Sequence, residues 1–253
     1  MRVDGLWRFP VKSFQGLVEQ SVELGLGGVE GDRQWGVVGS DGTQVLTAKR
    51  HRLMLQGETD GLELWWPDSE RFRLPAAGSV DPELNAAMSA WLGVEVSLQA
   101  VTPATEVSYE MTFDPPNDDA EMVAIPAPVG SFVDLAPLHL LVSQTLAWCA
   151  QARPELDWDL RRFRPNMLLD VEGHEPFAED SWVGRRIQVG TAALEVMQPA
   201  VRCAMPLRAQ PGLDGQPAMY GALEELHANH LGLYVKVIEP GTVSVGDVAV
   251  MAA

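Results

Sequence analysis

Short apolar stretches separated by turn residues dominate the first hundred positions of the chain. Alternating apolar and polar positions are typical of half-buried strands, and clusters of Gly, Pro, Asn, Asp and Ser between them are typical of turns. The pattern predicts strands at residues 2–9, 17–24 and 94–101, a hairpin of residues 34–38 and 43–47, and a second hairpin of residues 62–66 and 71–74. The first half is therefore expected to be rich in β-structure.

One helix is expected among these strands. Asp81 is a favourable N-cap, Pro82 suits the first helical position, Glu83 complements the positive end of the helix dipole, and Gly93 is a typical stop. The sequence therefore predicts a helix between Asp81 and Gly93.

The second half follows the same pattern after a segment that disfavours regular structure. Asp-Pro-Pro-Asn-Asp-Asp occupies residues 114–119, and Pro126 and Pro128 follow. We predict a β-rich N-terminal domain at residues 1–113, a junction loop at residues 114–131 and a β-barrel domain at residues 132–253. A long surface loop inside a single unit is the alternative.

Short strands with frequent turn signals favour a barrel with few helices in the second half. The predicted strands are residues 138–142, 167–170, 186–189, 192–197, 231–238 and 248–251, and the predicted helices are residues 143–151 and 218–228. The fold class expected for the whole chain is therefore a β-rich α+β fold.

Charge limits the kinds of partner. The 253 residues carry 18 basic and 35 acidic side chains, a formal charge of −17, which argues against nucleic acid or an anionic membrane as the main partner. The chain has no apolar stretch of about 18 residues, and its first residues lack the apolar core of a signal peptide. We expect a cytoplasmic protein.

Several familiar sites are missing from the sequence. It has no phosphate loop followed by Lys-Ser/Thr, no dinucleotide-binding glycine pattern and no Gly-x-Ser-x-Gly elbow. His227 and His230 are interpreted as solvated helix residues, and His51, His139 and His174 as structural ones.

Basic residues gather instead in four turn-rich segments. These are Pro10-Val11-Lys12-Ser13, Gly31-Asp32-Arg33, Arg161-Arg162-Phe163-Arg164-Pro165-Asn166 and Val201-Arg202-Cys203. Each cation alone is more simply explained as solvated surface charge. Together they indicate an anion site, because Arg offers a fork of donors to phosphate, Lys a point charge, and Ser13 and Asn166 hydrogen bonds.

The two cysteines are too few for a disulfide framework. Cys203 follows Arg202, whose charge favours the thiolate, the form that binds a soft metal or attacks an electrophile. A lone cysteine cannot hold zinc or an iron–sulfur cluster, so most ligands of a metal there must come from a cofactor. Cys149 lies in an apolar helix and is interpreted as core.

These residues resemble the MOSC proteins, which are named after the C-terminal domain of molybdenum cofactor sulfurases. The similarity is greatest to the two-part branch that includes the mitochondrial amidoxime-reducing component and its bacterial relatives. It rests on Phe9-Pro10-Val11-Lys12-Ser13, Gly31-Asp32-Arg33, Leu46-Thr47-Ala48, Arg162-Phe163-Arg164-Pro165-Asn166, Phe177-Ala178-Glu179-Asp180-Ser181-Trp182, Arg202-Cys203 and Leu231-Gly232-Leu233-Tyr234. The set covers nearly the whole chain.

The resemblance implies a C-terminal MOSC β-barrel packed against a smaller β-rich N-terminal domain, with the pyranopterin molybdenum cofactor between them. It implies that Cys203 is the protein's ligand to molybdenum and that Arg202 borders the cofactor. Pterin and phosphate are expected to be held by Lys12, Ser13, Arg33, Arg164 and Asn166, with Ser143 and Thr145 as further candidates.

The resemblance also implies a function: a molybdenum oxidoreductase that reduces N-hydroxylated or N-oxide compounds. The chain has no flavin or haem motif, so electrons are expected from a separate flavin, haem or iron–sulfur protein. The alternatives are a sulfur carrier with a persulfide on Cys203 and a cofactor-binding module without turnover. Many relatives continue after the cysteine with two threonines, whereas Ala204 and Met205 follow here, so a more apolar substrate pocket is expected.

Overall fold

A computed structural model describes residues 1–117 and 119–252, and these hold nineteen strands and three α-helices. The first ten strands are Arg2–Arg8 (β1), Leu17–Glu19 (β2), Ser21–Gly25 (β3), Gly28–Val29 (β4), Trp35–Gly39 (β5), Gln44–Val45 (β6), Glu58–Thr59 (β7), Glu63–Trp65 (β8), Phe72–Arg73 (β9) and Val96–Ala100 (β10). The others are Ser108–Met111 (β11), Val123–Pro126 (β12), Leu138–Val142 (β13), Met167–Asp170 (β14), Arg186–Val189 (β15), Ala192–Val201 (β16), His230–Glu239 (β17), Gly241–Ser244 (β18) and Ala249–Met251 (β19). The helices are Pro82–Leu92 (α1), Ser143–Ala152 (α2) and Ala218–His227 (α3), and 3₁₀ turns cover Arg52–Gln56, Leu160–Arg162, Ala178–Trp182 and Met205–Leu207.

The largest sheet curls into a barrel. Its eight strands run in the order β19-β15-β16-β17-β13-β14-β1-β2. A bridge between Arg2 and Val248, next to β19, brings the two sides of the sheet together. The inward residues are aliphatic and almost fully buried, as in Leu140, Leu194 and Leu233. The β-rich α+β class and the barrel are therefore confirmed.

A second sheet, in the order β10-β5-β6-β11-β12, packs with α1 and the small sheet β7-β8-β9 around a core of its own. Helix α1 begins as predicted: the Asp81 carboxylate accepts hydrogen bonds from the amides of Glu83 and Leu84, both at 3.1 Å. It ends at Gly93, whose φ of 72° lies in the left-handed region that glycine adopts without strain.

The sheets cross the predicted domain boundary in both directions. Strands β1 and β2 belong to the barrel sheet, and β3 and β4 form a small sheet with β18 whose apolar residues join the barrel core, so these four strands belong with the C-terminal half. Conversely, β12 lies inside the predicted junction loop yet pairs with β11, and Phe132 is buried in the N-terminal core. The reason is strand pairing over long sequence distances, which local turn signals do not encode.

None of the helices among the described residues is long and apolar enough to span a membrane.

Candidate functional site

A cavity of about 120 Å³ lies where the two halves meet. Its walls include Lys12, Ser13, Arg33, Thr47 and Lys49 from the first half, and Asp134, His139, Arg164, Asn166, Arg202, Cys203, Met205 and Tyr234 from the second. Four of the six cations that the sequence singled out therefore converge here. Arg161 is instead exposed and paired with Asp159, and Arg162 is buried in packing.

Three residues of this cavity have an unusual backbone conformation. Ser13, Arg33 and Arg164 have φ values of 70°, 48° and 53°. Side chains other than glycine seldom adopt this left-handed region, and such strain tends to persist where the surrounding structure places a functional group. Three residues expected at the cofactor therefore share a costly conformation that directs them into one cavity.

Two of these cations share an aromatic ring. The guanidinium carbons of Arg33 and Arg164 lie 5.4 Å and 4.1 Å from the centre of the Phe9 ring. Arg33 is also paired with Asp32, and Arg164 Nη1 donates to the Phe14 carbonyl at 2.6 Å. Burial and the nearby charge of Arg33 lower the pKa of Arg164. An anion between the two guanidinium groups would remove this mutual repulsion.

Two lysines share one carboxylate. Lys12 Nζ donates to the Phe132 carbonyl at 2.5 Å and is paired with Asp134, and Lys49 Nζ lies 2.8 Å from the other Asp134 oxygen. Burial lowers the pKa of Lys12 to about 8 despite Asp134, with Lys49 and Arg33 adding to the effect. Burial also opposes the charge on Lys49, but Asp134 and Cys203 raise its pKa to about 12.

We use the name cavity cluster for the charged residues of this wall. They are Lys12, Arg33, Lys49, Asp134, Arg164 and Arg202. The cluster is cationic because five basic groups face a single carboxylate among the described lining residues.

Cys203 is partly exposed at this wall, and the preceding Arg202 is held in place. Arg202 Nη2 donates to the Phe163 carbonyl at 2.8 Å, and Nη1 lies 3.2 Å from His139 Nε2. Burial and the Arg202 charge lower the pKa of His139 to about 3, so its ring is neutral, and its Nε2 lies 3.2 Å from both Arg202 Nη1 and the Leu231 carbonyl. Gly232 permits this approach, since a Cβ there would lie 2.6 Å from His139 Nε2.

Asn166 reaches the cavity while fastening β13 to β1. Its Oδ1 accepts from the amide of His139 at 3.2 Å, and its Nδ2 donates to the Trp7 carbonyl at 3.3 Å. Ser13 Oγ similarly accepts from the amide of Ala48 at 3.1 Å. Each side chain thus positions a neighbouring strand or turn as well as lining the wall.

The structure does not bring Ser143 and Thr145 to this cavity. Ser143 Oγ donates to Gln144 at 3.1 Å. Thr145 is fully buried, and its Oγ1 donates to Glu179 at 3.0 Å. His174 Nε2 lies 2.9 Å from the same Glu179 oxygen. We call Thr145, His174 and Glu179 the helix cluster, because it lies where α2 packs on the 3₁₀ turn Ala178–Trp182.

Sequence reasoning missed four residues of the cavity, namely Lys49, Asp134, His139 and Tyr234. Lys49 carried a signal, because it is one of only three lysines in the chain. His139 and Tyr234 face the cavity because β13 and β17 are neighbours, which no local pattern indicates. Two further histidines contact acidic residues: His174 lies 2.9 Å from Glu179, and His227 lies 3.2 Å from Asp180.

Comparison with known proteins identifies the family. The family model for the MOSC N-terminal beta barrel domain matches residues 1–107, and that for the MOSC domain matches residues 128–250. The chain is a MOSC domain protein. Residues 108–127 lie between the two matches, and the cavity of this MOSC protein is lined by residues from both matched regions.

Individual relatives are distant. A molybdenum cofactor sulfurase of Oryza sativa subsp. japonica is 25% identical over 236 residues, a match that covers 78% of this chain and 27% of the relative. This chain therefore spans about a quarter of that relative's length. Among solved structures, the YuaD protein of Bacillus subtilis matches 100% of this chain and 96% of its own at 13% identity, with a TM-score of 0.48. YiiM of Geobacillus stearothermophilus matches 60% and 74% at 18% identity, with a TM-score of 0.38.

The cavity of this MOSC protein fits a phosphate-bearing cofactor with a soft metal. Thr47 and Arg202 line the cavity, and the buried Thr47 Oγ1 and Arg202 Nε have no hydrogen-bond partner among the described residues. A buried polar atom without a partner costs free energy unless a ligand supplies the missing hydrogen bond. In residues 1–117 and 119–252, no three His, Cys, Asp or Glu side chains gather as metal ligands. The Cys203 thiolate would therefore bind a metal that brings its other ligands with it.

Proposed function

We propose that this protein binds the pyranopterin molybdenum cofactor and reduces N-hydroxylated or N-oxide compounds with electrons from an external carrier protein. The observation that carries the proposal is the convergence of four sequence-distant segments on one cavity, with Cys203 in its wall. The cations of these segments suit an anion, and the thiolate suits a soft metal.

The chemistry of each side chain suggests its role. Arg33 and Arg164 would hold the phosphate between their guanidinium groups, with Lys12 as a third cation. Ser13 and Asn166 would bond the polar edge of the pterin. Cys203 would bind the metal, and neutral His139 would keep the Arg202 guanidinium next to it. When bound, the cofactor supplies a centre that exchanges two electrons and an oxygen atom.

The proposed reaction consumes two electrons and two protons for each N–O bond broken, and the oxygen leaves as water. The chain offers buried positive charge near Cys203, because Lys49, Arg164 and Arg202 line the same cavity and are each less than a tenth exposed. That charge would favour anionic character on the departing oxygen. The electrons are assigned to a separate flavin, haem or iron–sulfur protein.

A sulfur carrier with a persulfide on Cys203 is the second candidate, favoured by the similarity to a molybdenum cofactor sulfurase. The same partly exposed thiol serves both functions. Metal content separates them, because the carrier needs no molybdenum while the reductase does.

The deciding experiment uses protein purified from a host that makes the cofactor. Molybdenum, pterin and cyanide-labile sulfur are measured per chain, and benzamidoxime reduction is followed with a reduced viologen dye as donor. The reductase predicts stoichiometric molybdenum and pterin together with turnover. Labile sulfur without molybdenum would establish the carrier instead, and molybdenum without turnover on N-hydroxylated or N-oxide compounds would leave a binding module.

A further inference from the structure

The strand that leads to Cys203 ends irregularly. Strand β16 pairs with β17, but the pairing shifts register twice between Val196 and Val201. Pro199 has no amide hydrogen to donate, so the backbone ladder is weakened where the chain approaches the cavity. Cys203 itself lies beyond the end of β16. Contacts other than a regular ladder must therefore hold the backbone that carries the thiol.

Two residues in and next to β17 hold the backbone before Cys203. The carbonyl of Asn229 accepts from the Arg202 amide at 2.9 Å, and Asn229 Nδ2 donates to the Arg202 carbonyl at 2.7 Å. The Tyr234 hydroxyl donates to the Val201 carbonyl at 3.1 Å. Because a peptide group is planar, these contacts hold two consecutive planes, the one between residues 201 and 202 and the one between residues 202 and 203.

The backbone is also held on the other side of the cysteine. The Ala204 carbonyl accepts from the Leu207 amide at 3.1 Å, where the 3₁₀ turn Met205–Leu207 follows. With its backbone held on both sides, Cys203 keeps mainly the rotation about its own Cα–Cβ bond, which has three staggered positions.

Asn229 combines an uncommon backbone conformation with a side-chain donor. Its φ of 59° lies in the left-handed region, directly after Ala228 with a φ of 45°, and its amide donates to the Leu223 carbonyl at 3.0 Å, which closes α3. Asparagine and glycine both tolerate this conformation, but only asparagine brings an amide donor. The side chain is buried, and of its two polar atoms only Nδ2 has a partner among the described residues.

We propose that Asn229 and Tyr234 are positioning residues that hold Cys203 in one orientation towards the cavity. Their contacts act on the backbone that carries the sulfur rather than on the sulfur itself. Residues that orient a metal ligand typically change metal affinity or activity by about tenfold to a hundredfold when they are lost. The role towards a metal rests on the proposed function, whereas the holding of Cys203 does not depend on it.

The first test measures the motion of Cys203 directly, in the full chain without cofactor. The chain has two cysteines, so protein labelled with 15N-cysteine gives two amide signals, and Cys149 in α2 is an internal reference. Order parameters of about 0.85 are expected for both amides. Asn229→Gly allows the left-handed backbone but removes the donor, so the value for Cys203 should fall below about 0.6 while that for Cys149 stays.

Tyr234→Phe is the milder variant, because it keeps the ring and removes one hydroxyl. It should lower the order parameter of the Cys203 amide by less than Asn229→Gly does, since the Arg202 amide still donates to the Asn229 carbonyl. If Asn229→Gly fails to fold, Tyr234→Phe decides by the same measurement.

Asn85→Ala is the matched control for stability. The Asn85 side chain accepts from the Leu98 amide at 2.9 Å, and Leu98 belongs to the core around α1 rather than to the barrel core. The variant therefore also removes a hydrogen bond between a side-chain amide and the backbone. It should unfold at a lower urea concentration, as Asn229→Gly should, yet keep the wild-type signal of the Cys203 amide.

The second test measures turnover in protein loaded with cofactor. Asn229→Gly should lower kcat for benzamidoxime, per molybdenum bound, by at least about tenfold. KM should stay within about twofold, because Asn229 is not among the residues that line the cavity. Tyr234→Phe should lower kcat by about threefold, and Asn85→Ala should leave both constants unchanged.

A wild-type order parameter for the Cys203 amide in Asn229→Gly would overturn the inference, as would an equal loss of order in Asn85→Ala. An unchanged kcat in loaded Asn229→Gly would overturn it too. A wild-type Cys203 signal in Tyr234→Phe would overturn the assignment of Tyr234. If the wild-type protein binds no molybdenum, the proposed function fails, while the order parameters still decide whether Cys203 is held.

Discussion

The cavity cluster and the helix cluster are both largely buried and polar, and each contains residues that the sequence associates with the cofactor, yet they differ in charge balance. In the helix cluster, the Glu179 carboxylate receives the Thr145 hydroxyl at 3.0 Å and lies 2.9 Å from the His174 ring. In the cavity cluster, Lys12 and Lys49 share Asp134, Arg33 is paired with Asp32, and Arg164 and Arg202 donate to backbone carbonyls. Both contacts of the helix cluster fall on Oε2 of Glu179, and its Oε1 is buried without a hydrogen-bond partner among the described residues. The helix cluster therefore carries an excess of acceptors, whereas the cavity cluster carries an excess of cations and is suited to an added anion.

The difference shows what separates a packing contact from a binding site. The Glu179 carboxylate joins α2 to the 3₁₀ turn Ala178–Trp182, and its negative charge would repel an anionic ligand. Buried cations that lower one another's pKa store unfavourable energy that an anion releases. Burial and polarity are common to both clusters, so net charge and access from the cavity decide which cluster can bind an anion.

The largest expected effect concerns the two cysteines. Cys203→Ala should abolish benzamidoxime reduction, because it removes the proposed metal ligand, while the free energy of unfolding changes by less than about 1 kcal/mol at this partly exposed position. Cys149 is fully buried, and burial raises its pKa to about 12, so it stays a thiol. Cys149→Ala should cost about 1 kcal/mol of stability and leave turnover near wild type. Turnover in Cys203→Ala would refute the ligand assignment.

The next effect concerns the cations that share the Phe9 ring. A charge-assisted contact to phosphate contributes about 1.5–3 kcal/mol, so Arg164→Ala should weaken cofactor retention by about tenfold to a hundredfold. Retention is measured as molybdenum per chain after extensive dialysis, with Arg33→Ala expected to behave alike.

Arg161→Ala is the control for this prediction, because Arg161 is exposed and bound to Asp159. It should change stability by less than about 0.5 kcal/mol and leave retention unchanged. Equal retention in Arg164→Ala, Arg33→Ala and Arg161→Ala would mean that the cavity cluster does not hold the cofactor.

For the helix cluster we expect a loss of stability with no loss of cofactor. Thr145→Val keeps the shape but removes the hydrogen bond to buried Glu179, so the free energy of unfolding should fall by about 1–2 kcal/mol. Molybdenum per chain should stay unchanged, as it should in the matched variant Ser143→Ala. Urea unfolding and metal analysis of the same samples check both statements. Loss of molybdenum in Thr145→Val would show that the helix cluster borders the cofactor after all.

Local signals predicted local structure well. The cap at Asp81, the stop at Gly93 and the start of α2 at Ser143 agree with the structure. Local signals could not predict which strands of the first half join the sheet of the second half, because β1 pairs with β14 about 160 positions later in the chain. A domain boundary drawn from turn residues therefore divides the chain differently from the sheets.

The same limit applies to the site. Lys12, Arg33 and Arg164 lie in turns whose composition is unusual in an acidic chain, and the structure places all three in the cavity. His139 lies inside a buried strand, β13, where the sequence reads as core. Its contact with Arg202 spans 63 positions of the chain, so only the barrel reveals it.

The smallest expected effect is a pH dependence of anion binding to the cofactor-free protein. Burial, opposed by Asp134 and aided by Lys49 and Arg33, lowers the pKa of Lys12 to about 8. Lys12 is charged below that pH and neutral above it, so affinity for an anion should be constant below pH 7 and fall as the pH rises through 8. Sulfate is the suitable probe because its own charge does not change in this range. The loss of affinity between pH 7 and pH 9 should be about fivefold, measured by calorimetry in a Cys203→Ala background so that thiol titration does not contribute.

Lys12→Met should bind sulfate more weakly and lose the pH dependence. Lys236→Met should keep it, because Lys236 is half-exposed and paired with Glu195 at 2.7 Å, outside the cavity. A flat profile in the protein with Lys12 intact would mean that the charge of Lys12 does not contribute to anion binding.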